Sequence, residues 1–407
     1  VAVMGYGTVG SGVVEVIETH EKSISNRTGG EVLEVAKILD LRDFEGDPHE
    51  DLFTKDFNDI LNDDEIKVVA ETMGGVNPAF DFTMKLLESG KSVVTSNKEL
   101  VAQKGLELLQ AAEKHGVNYL FEASVGGGIP IIRPMAQCLA ANNIEGIAGI
   151  LNGTTNFILT KMIEDGMKFD AALKLAQDLG FAERNPAADI EGHDACRKIC
   201  ILASLAFGKH VYPNFVHTEG ITEITLEDVK YAEAYNCVIK LIGRVKRLDD
   251  GKIDIIVAPM FVPNKSQLAN IDYEFNGIMV RGDCTGDVVF YGKGAGKLPT
   301  ASAVVADVVD CCKHLKTRKF LFWADGNGDN ILPYEESVTA MYIRANTTFE
   351  LAQEVFGCID KIEKADSPEG EIAFVTAQLP YGEIIEKIAA LESRGAKVIS
   401  KIRIGDL

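Results

Sequence analysis

Over the first 130 residues, short apolar runs alternate with longer stretches of helical spacing, the pattern of repeated β–α units. Val1-Ala2-Val3-Met4 reads as a buried strand, and Val9, Val13, Val14, Val16 and Ile17 recur at helical spacing behind it. A second strand is expected over 32–39, ending at Asp40-Leu41-Arg42-Asp43, after a polar insert over 21–31. Further strands are expected over 67–72, 92–95 and 117–121. They end in Met73-Gly74-Gly75, Ser96-Asn97-Lys98 and Glu122-Ala123-Ser124, the last leading into a glycine run. This alternation predicts an α/β fold with a doubly wound, Rossmann-type sheet.

Beyond residue 130 the pattern changes. A helix is expected over 130–139, a polar loop over 151–157, and a helix over 157–164. The run 199–207 is apolar nearly all round, which implies a buried helix. A glycine cluster over 291–300 precedes a helix over 301–310. The tail reads strand (337–343), helix (349–356), strands (359–365 and 372–379), helix (382–394), strand (398–404), a βαββαβ order. The partition expected is 1–129 with about 292–320, then an α+β substrate and dimerisation domain over 130–291, then 336–407.

Composition sharpens the class. At about 150 residues per domain, 407 residues predict two or three domains. Lys plus Arg number 41 against 61 Asp plus Glu, a net charge of −20 that disfavours nucleic acid and anionic membrane surfaces. No apolar run approaches the roughly 18 residues of a membrane span. Eight cysteines without a C-x-x-C pair suit a reduced, cytoplasmic protein. No basic leader is visible, and Val1 already sits in strand pattern, so a few preceding residues are expected.

Gly5-Tyr6-Gly7-Thr8-Val9-Gly10 is a G-x-G-x-x-G between strand and helix, the order a dinucleotide site requires. Gly5 permits the tight turn, Gly7 lets backbone approach a pyrophosphate, and Gly10 lets helix and strand pack closely. Asp40 would accept from the ribose hydroxyls of NAD, whereas Arg42 would suit the extra phosphate of NADP; both readings stay open. Ligands of such sheets bind outside the strands' carboxyl ends, which places Thr72, Met73, Gly74, Ser96, Asn97 and Lys98 at that edge. Gly294-Ala295-Gly296 could close over the cofactor or serve as a plain connection. Carbonyls of the loop over 122–130 could ligate a cation. Asp194 and Lys198 stand one helical turn apart at the entrance of the buried helix, where charges are costly unless they serve each other or a ligand. His193 beside them fits packing or hydrogen bonding better than chemistry.

The segments GYGTVGSG, TSNK, EASVGGGIPII, LNGTTNFIL, DIEGHDACRK and GAGKLPTASAVVADVV, in this order, resemble homoserine dehydrogenases over residues 1 to about 310. The resemblance implies NAD(P)-linked interconversion of L-homoserine and L-aspartate 4-semialdehyde, on the route to threonine, methionine and isoleucine. It makes Lys198 the proton-transfer residue, Asp194 its orienting partner, and Lys98 a neighbour of substrate and nicotinamide. Glu183, Asp189 and the loop Asn152-Gly153-Thr154 become substrate contacts. A sodium or potassium ion would sit at Glu122, Val125, Gly127 and Ile129. Arg184-Asn185 replaces the Ala-Asp often found after the glutamate. A homodimer or homotetramer is implied.

The tail resembles an ACT regulatory domain, with Ala345-Asn346-Thr347-Thr348 where an Asp-x-Pro-Gly-like effector turn would stand. That leaves threonine feedback and an assembly role as alternatives. Aspartate-semialdehyde dehydrogenase would need a nucleophilic cysteine, and Cys138 has no evident base nearby. A non-catalytic NAD(P)-sensing regulator would have no use for a buried Asp194 and Lys198.

Overall fold

A computed structural model describes residues 1–407. The chain begins β1 (Ala2–Met4), α1 (Thr8–Thr19), α2 (Glu21–Arg27), β2 (Lys37–Leu39), β3 (Phe53–Thr54), α3 (Asn58–Leu61) and β4 (Val68–Glu71). Then come α4 (Ala79–Glu88), β5 (Ser92–Thr95), α5 (Lys98–His115) and β6 (Tyr119–Leu120). These strands form one parallel sheet in the order β3-β2-β1-β4-β5-β6, the doubly wound arrangement that reverses direction between β1 and β4. Helices cover both faces, so every residue of β1, β4 and β5 is buried. That is why these strands read as apolar runs rather than alternations.

The middle holds β7 (Ile144–Ile150), α6 (Gly153–Glu164), α7 (Phe169–Asp178), α8 (Ala187–Ile190) and α9 (His193–Phe207). Next are β8 (His217–Thr218), α10 (Leu226–Ala234), β9 (Cys237–Arg247), β10 (Ile253–Pro263), β11 (Phe275–Gly282), β12 (Gly286–Lys293) and α11 (Lys297–Lys313). The tail carries β13 (Val338–Thr339), β14 (Met341–Asn346), α12 (Phe349–Phe356), β15 (Ile359–Lys361) and β16 (Glu371–Thr376). It ends with β17 (Leu379–Pro380), α13 (Tyr381–Ser393) and β18 (Lys397–Ile404).

The chain divides into two compact units, with the boundary falling inside α9 and β12. The first comprises Val1–Asn143, Arg197–Pro213 and Phe290–Asn327. It holds the parallel sheet, and α11 packs on α1 so closely that a Cβ on Gly12 would lie 3.0 Å from the Ala301 Cβ. The second comprises Ile144–Cys196, Asn214–Val289 and Gly328–Leu407. Its mixed sheet runs β12-β11-β7-β9-β10-β18-β14-β16-β15, with β8 beside β10. The tail supplies the last four strands. Phe356, Phe374, Ile384 and Leu391 form a core beneath α12 and α13. On the opposite face, Tyr342 Oη and Arg344 Nε both donate to Asp228 Oδ1 of α10 at 3.0 Å, while Arg344 also pairs with Glu371. β18 joins β10 in parallel through Met260↔Arg403 and Phe261↔Ile404, so one sheet runs through both parts.

Several local expectations change. The strand expected over 32–39 pairs only at Lys37–Leu39, because β1 offers three residues to pair with and Val32 is left 60% exposed. The polar insert begins as α2. The helix expected from Pro130 starts later and winds as a π-helix over Pro134–Cys138, where Leu139 N–H reaches the Pro134 carbonyl. Residues 153–157 form the first turn of α6 rather than a loop. Tyr291–Lys293 belong to β12 and Lys297–Thr300 to α11, which shrinks the glycine loop to Gly294–Gly296.

Candidate active site

In the first unit the glycine turn has the shape a dinucleotide needs. Gly5 takes φ +90°, and its N–H bonds the Leu39 carbonyl at 2.8 Å. A Cβ on Gly10 would sit 1.9 Å from the Gly5 oxygen and 2.8 Å from Thr72 Oγ1. A Cβ on Gly7 would meet nothing within 4 Å, and no side chain caps α1. The helix N-terminus therefore presents its N–H groups, around Thr8 and Val9, to open space at the edge where phosphates bind. The residues present fit the cofactor.

Asp40 and Arg42 resolve into one unit. Asp40 Oδ2 accepts the Tyr6 N–H at 2.7 Å, and both carboxylate oxygens take the Arg42 guanidinium, at 3.0 and 2.8 Å. Hydrogen bonding from Arg42 holds the Asp40 carboxyl far below the usual range, against the opposing effect of burial. Asp40 faces the glycine turn; Arg42 lies outside it, 60% exposed and over the Phe44 ring. The Tyr6 ring packs edge-on against Phe44 and Phe53.

The ends of β4 and β5 are stitched to that turn. Thr72 Oγ1 donates to the Gly5 carbonyl at 2.8 Å. Glu71, fully buried, accepts the Met73 N–H at 2.8 Å and the Thr95 hydroxyl at 2.6 Å. Thr95 Oγ1 accepts the Asn97 N–H at 2.8 Å, and Asn97 Nδ2 donates to the Gly75 carbonyl at 2.6 Å. Asn97 caps α5 by accepting the Leu100 N–H, which sets Lys98 as the first residue of that helix; the Lys98 N–H reaches the Ser96 carbonyl. Gly74 takes φ +83° in the intervening turn. Glu71 was not picked out from the sequence, where it looks like the polar end of an apolar strand.

Gly294 lies against the 126–128 loop: a Cβ on Gly127 would be 2.3 Å from its oxygen, and Gly128 N–H bonds the Lys293 carbonyl. Ala295 and Gly296 continue from there into α11. In the loop proposed for a cation, the Glu122 carboxylate is already committed. It accepts the N–H groups of Ile131, Ile132 and Arg133 at 2.6–2.8 Å, capping the helix that follows. No group of three or more His, Cys, Asp or Glu is placed to hold a metal. A cation here would have to rest on main-chain carbonyls, those of Glu122, Val125, Gly127 and Ile129 being the ones the sequence points to. Beneath the loop, burial pushes the Asp307 carboxyl up to about 7 despite its bond to Arg133.

In the second unit Asn152 is the organising residue. Its Oδ1 accepts the Thr155 N–H at 2.8 Å, capping α6. Its Nδ2 donates to Asp189 Oδ1 at 2.7 Å and to Asp194 Oδ2 at 2.9 Å. A trigonal amide holding both places those oxygens about 5 Å apart. A Cβ on Gly153 would lie 2.6 Å from the Glu274 oxygen, and Thr154 Oγ1 donates to the Phe181 carbonyl at 2.7 Å. Both residues thus anchor neighbouring segments. Asp194 is buried in the first turn of α9; Lys198, also buried, follows one turn later on the same helix and is counted with the first unit. The Glu183 side chain is exposed and outside this hydrogen-bonded group. His193 is exposed and pairs with Glu191 at 3.2 Å.

Comparison with known proteins agrees with this layout. Residues 5–122 match a family model described as homoserine dehydrogenase, NAD binding domain, and residues 130–309 one described as homoserine dehydrogenase. A homoserine dehydrogenase of Neisseria gonorrhoeae is 37% identical, covering 100% of this chain and 98% of its own. That of Bacillus subtilis is 42% identical over 320 residues, 78% of this chain and 73% of its own. The crystal structure of a homoserine dehydrogenase from Thiobacillus denitrificans superposes with TM-score 0.89 at 37% identity, over 100% of this chain and 97% of that one. A hyperthermophilic archaeal homoserine dehydrogenase in complex with NADPH matches 76% of this chain and 96% of its own, with TM-score 0.64 and 26% identity.

Proposed function

The chain belongs to the homoserine dehydrogenase family, and from that premise we propose how its residues share out the reaction. It is an NAD(P)-dependent oxidoreductase that interconverts L-homoserine and L-aspartate 4-semialdehyde. No helix is long and apolar enough to cross a membrane. Bound oxidised dinucleotide supplies the hydride acceptor.

The glycine turn Gly5–Gly10, Asp40, Thr72–Gly74, Ser96–Lys98 and Gly294–Gly296 hold and cover the dinucleotide. Asp189 and Glu183 receive the amino-acid end of the substrate. Lys198 Nζ, in its neutral form, takes the hydroxyl proton as the carbinol carbon gives up hydride; in the reverse direction it returns that proton to the aldehyde oxygen. Asp194 orients Lys198, and Lys98 lies by substrate and nicotinamide. The observation that carries this reading is the single Asn152 amide holding Asp189 and Asp194 together, one turn before Lys198.

Sodium or potassium at the 122–129 carbonyls stiffens that loop. The enzyme works in the cytoplasm as a homodimer or homotetramer. The tail is an ACT-like domain. Thr348 caps α12 through the Leu351 N–H where an effector turn would stand, a placement that favours an assembly role over threonine feedback.

Reduced cofactor appearing at 340 nm with L-homoserine at alkaline pH, measured with NAD and NADP in parallel, tests the reaction and the cofactor preference together. Lys198→Ala should abolish turnover while dinucleotide still binds, and wild-type oxidation should climb with pH. Normal turnover in the variant, or a flat profile from about pH 7 to 10, over which the neutral fraction of an amine base climbs steeply, would remove Lys198 from the mechanism.

A further inference from the structure

Glu71 is a charge-bearing group with no cationic partner in an otherwise neutral ring. Its carboxylate is fully buried at the carboxyl end of β4, beside the point where the sheet order reverses. Its hydrogen-bond donors are neutral: the Met73 N–H and the Thr95 hydroxyl, with the Asn97 amide and the Gly74 N–H beside them. Thr95 Oγ1 donates to Glu71 and also accepts the Asn97 N–H, as a hydroxyl can. Burial pushes this carboxyl up, and the hydrogen bonds that both its oxygens accept favour the ionised form against it. Nearby, the Tyr119 hydroxyl is buried with no hydrogen-bond partner, so it does not spread the charge. An isolated buried carboxylate is costly, and such groups persist where something else uses the charge.

In a doubly wound sheet the dinucleotide crosses the strand ends at the reversal point, with its adenosine half toward β2 and its nicotinamide half toward β4 and β5. The two redox forms of that half differ by one positive charge on the ring. We propose that Glu71 is a specificity-determining residue that favours the oxidised over the reduced dinucleotide, through its buried negative charge beneath the nicotinamide end of the site. The hydrogen-bonded ring of Glu71, Thr95, Asn97 and Gly75 fixes where that charge stands. The inference rests on the dinucleotide site assigned above.

The test is equilibrium binding of NADP+ and NADPH, or of NAD+ and NADH if those are preferred, to the full chain by calorimetry without substrate. Glu71→Gln keeps the side chain's size and removes its charge. The ratio of the dissociation constants should move roughly tenfold against the oxidised form, the order expected for unit charges several ångströms apart in a protein interior. Thr95→Val removes a donor to the carboxylate and so favours its neutral form, which should move the ratio in the same direction as Glu71→Gln. A ratio unchanged in Glu71→Gln overturns the inference. If that variant does not fold, an unchanged or reversed ratio in Thr95→Val overturns it instead. Wild-type protein that binds neither form would instead overturn the assignment of the dinucleotide site.

Discussion

Gly7 and Gly10 stand three residues apart in one motif, yet the structure separates their jobs cleanly. At Gly7 the backbone has φ −85° and ψ −157°, values open to any residue, and an added Cβ meets no atom within 4 Å. Gly7→Ala should leave the fold alone, within about 0.5 kcal/mol. The methyl group instead fills the space through which a pyrophosphate reaches the α1 N–H groups. Losing one charge-assisted hydrogen bond costs about 1.5–3 kcal/mol, and each 1.4 kcal/mol is roughly tenfold in affinity. Dinucleotide binding should weaken about 10- to 100-fold. At Gly10 the added Cβ would be 1.9 Å from the Gly5 oxygen, where 3.4 Å is ordinary contact, so strand and helix must part by 3.4 − 1.9 = 1.5 Å. Overpacking of that kind costs about 1–3 kcal/mol, which at about 2.1 cal/mol/K per residue over 407 residues is roughly 1–4 °C in Tm. Thermal melts and fluorescence titration with reduced dinucleotide read the two effects separately. A Gly7→Ala protein with wild-type affinity, or a Gly10→Ala protein with wild-type Tm, would refute the reasoning.

The same structure predicts three further effects. Asp40→Ala removes the acceptor that faces the glycine turn and frees Arg42, so the NADP-to-NAD ratio of kcat/KM should rise by about tenfold, the usual worth of one charge-assisted bond; steady-state rates with both cofactors check it, and a fall in the ratio contradicts it. Arg344→Met leaves Asp228 buried without its cation and should cost about 3–5 kcal/mol, visible in thermal melts; a loss under about 1 kcal/mol, the worth of a surface pair, would show that the pair does not join the tail to α10. For Glu219, burial pushes the carboxyl up, but hydrogen bonds from His217 and Tyr334 and the Arg403 charge outweigh it, leaving the group below its ordinary 4.5. A lowered carboxyl adds stability above that value and loses it as pH falls through the folded-state pKa. Glu219→Gln should therefore be less stable than wild type at pH 7 and converge with it in acid; a constant gap would show that the charge is not responsible.

What could be read in the sequence and what could not differ by how far away the partner stands. The glycine turn was legible because its constraints are local: strand, turn and helix lie within twenty residues, and each glycine answers to atoms a few positions away. Asp194 and Lys198 were legible for the same reason, a one-turn spacing at the mouth of an apolar helix. The strand at 32–39 was overlong because its end is decided by β1, three residues long and more than thirty positions back. The helix expected from Pro130 was displaced because its cap is Glu122, nine to eleven residues upstream in what the sequence pattern reads as a loop. Asn152 read as a loop polar group and proved to join two carboxylates 37 and 42 residues away. Glu71 was invisible for the most general reason: an acid after Val-Val-Ala looks like the place where a strand meets water, and only the packing of β5 and α11 on β4 makes that place dry. In this fold the backbone cradle for a dinucleotide is written locally, while the buried charges that would set its preferences are made by tertiary contact, and those are the residues on which mutagenesis will report most.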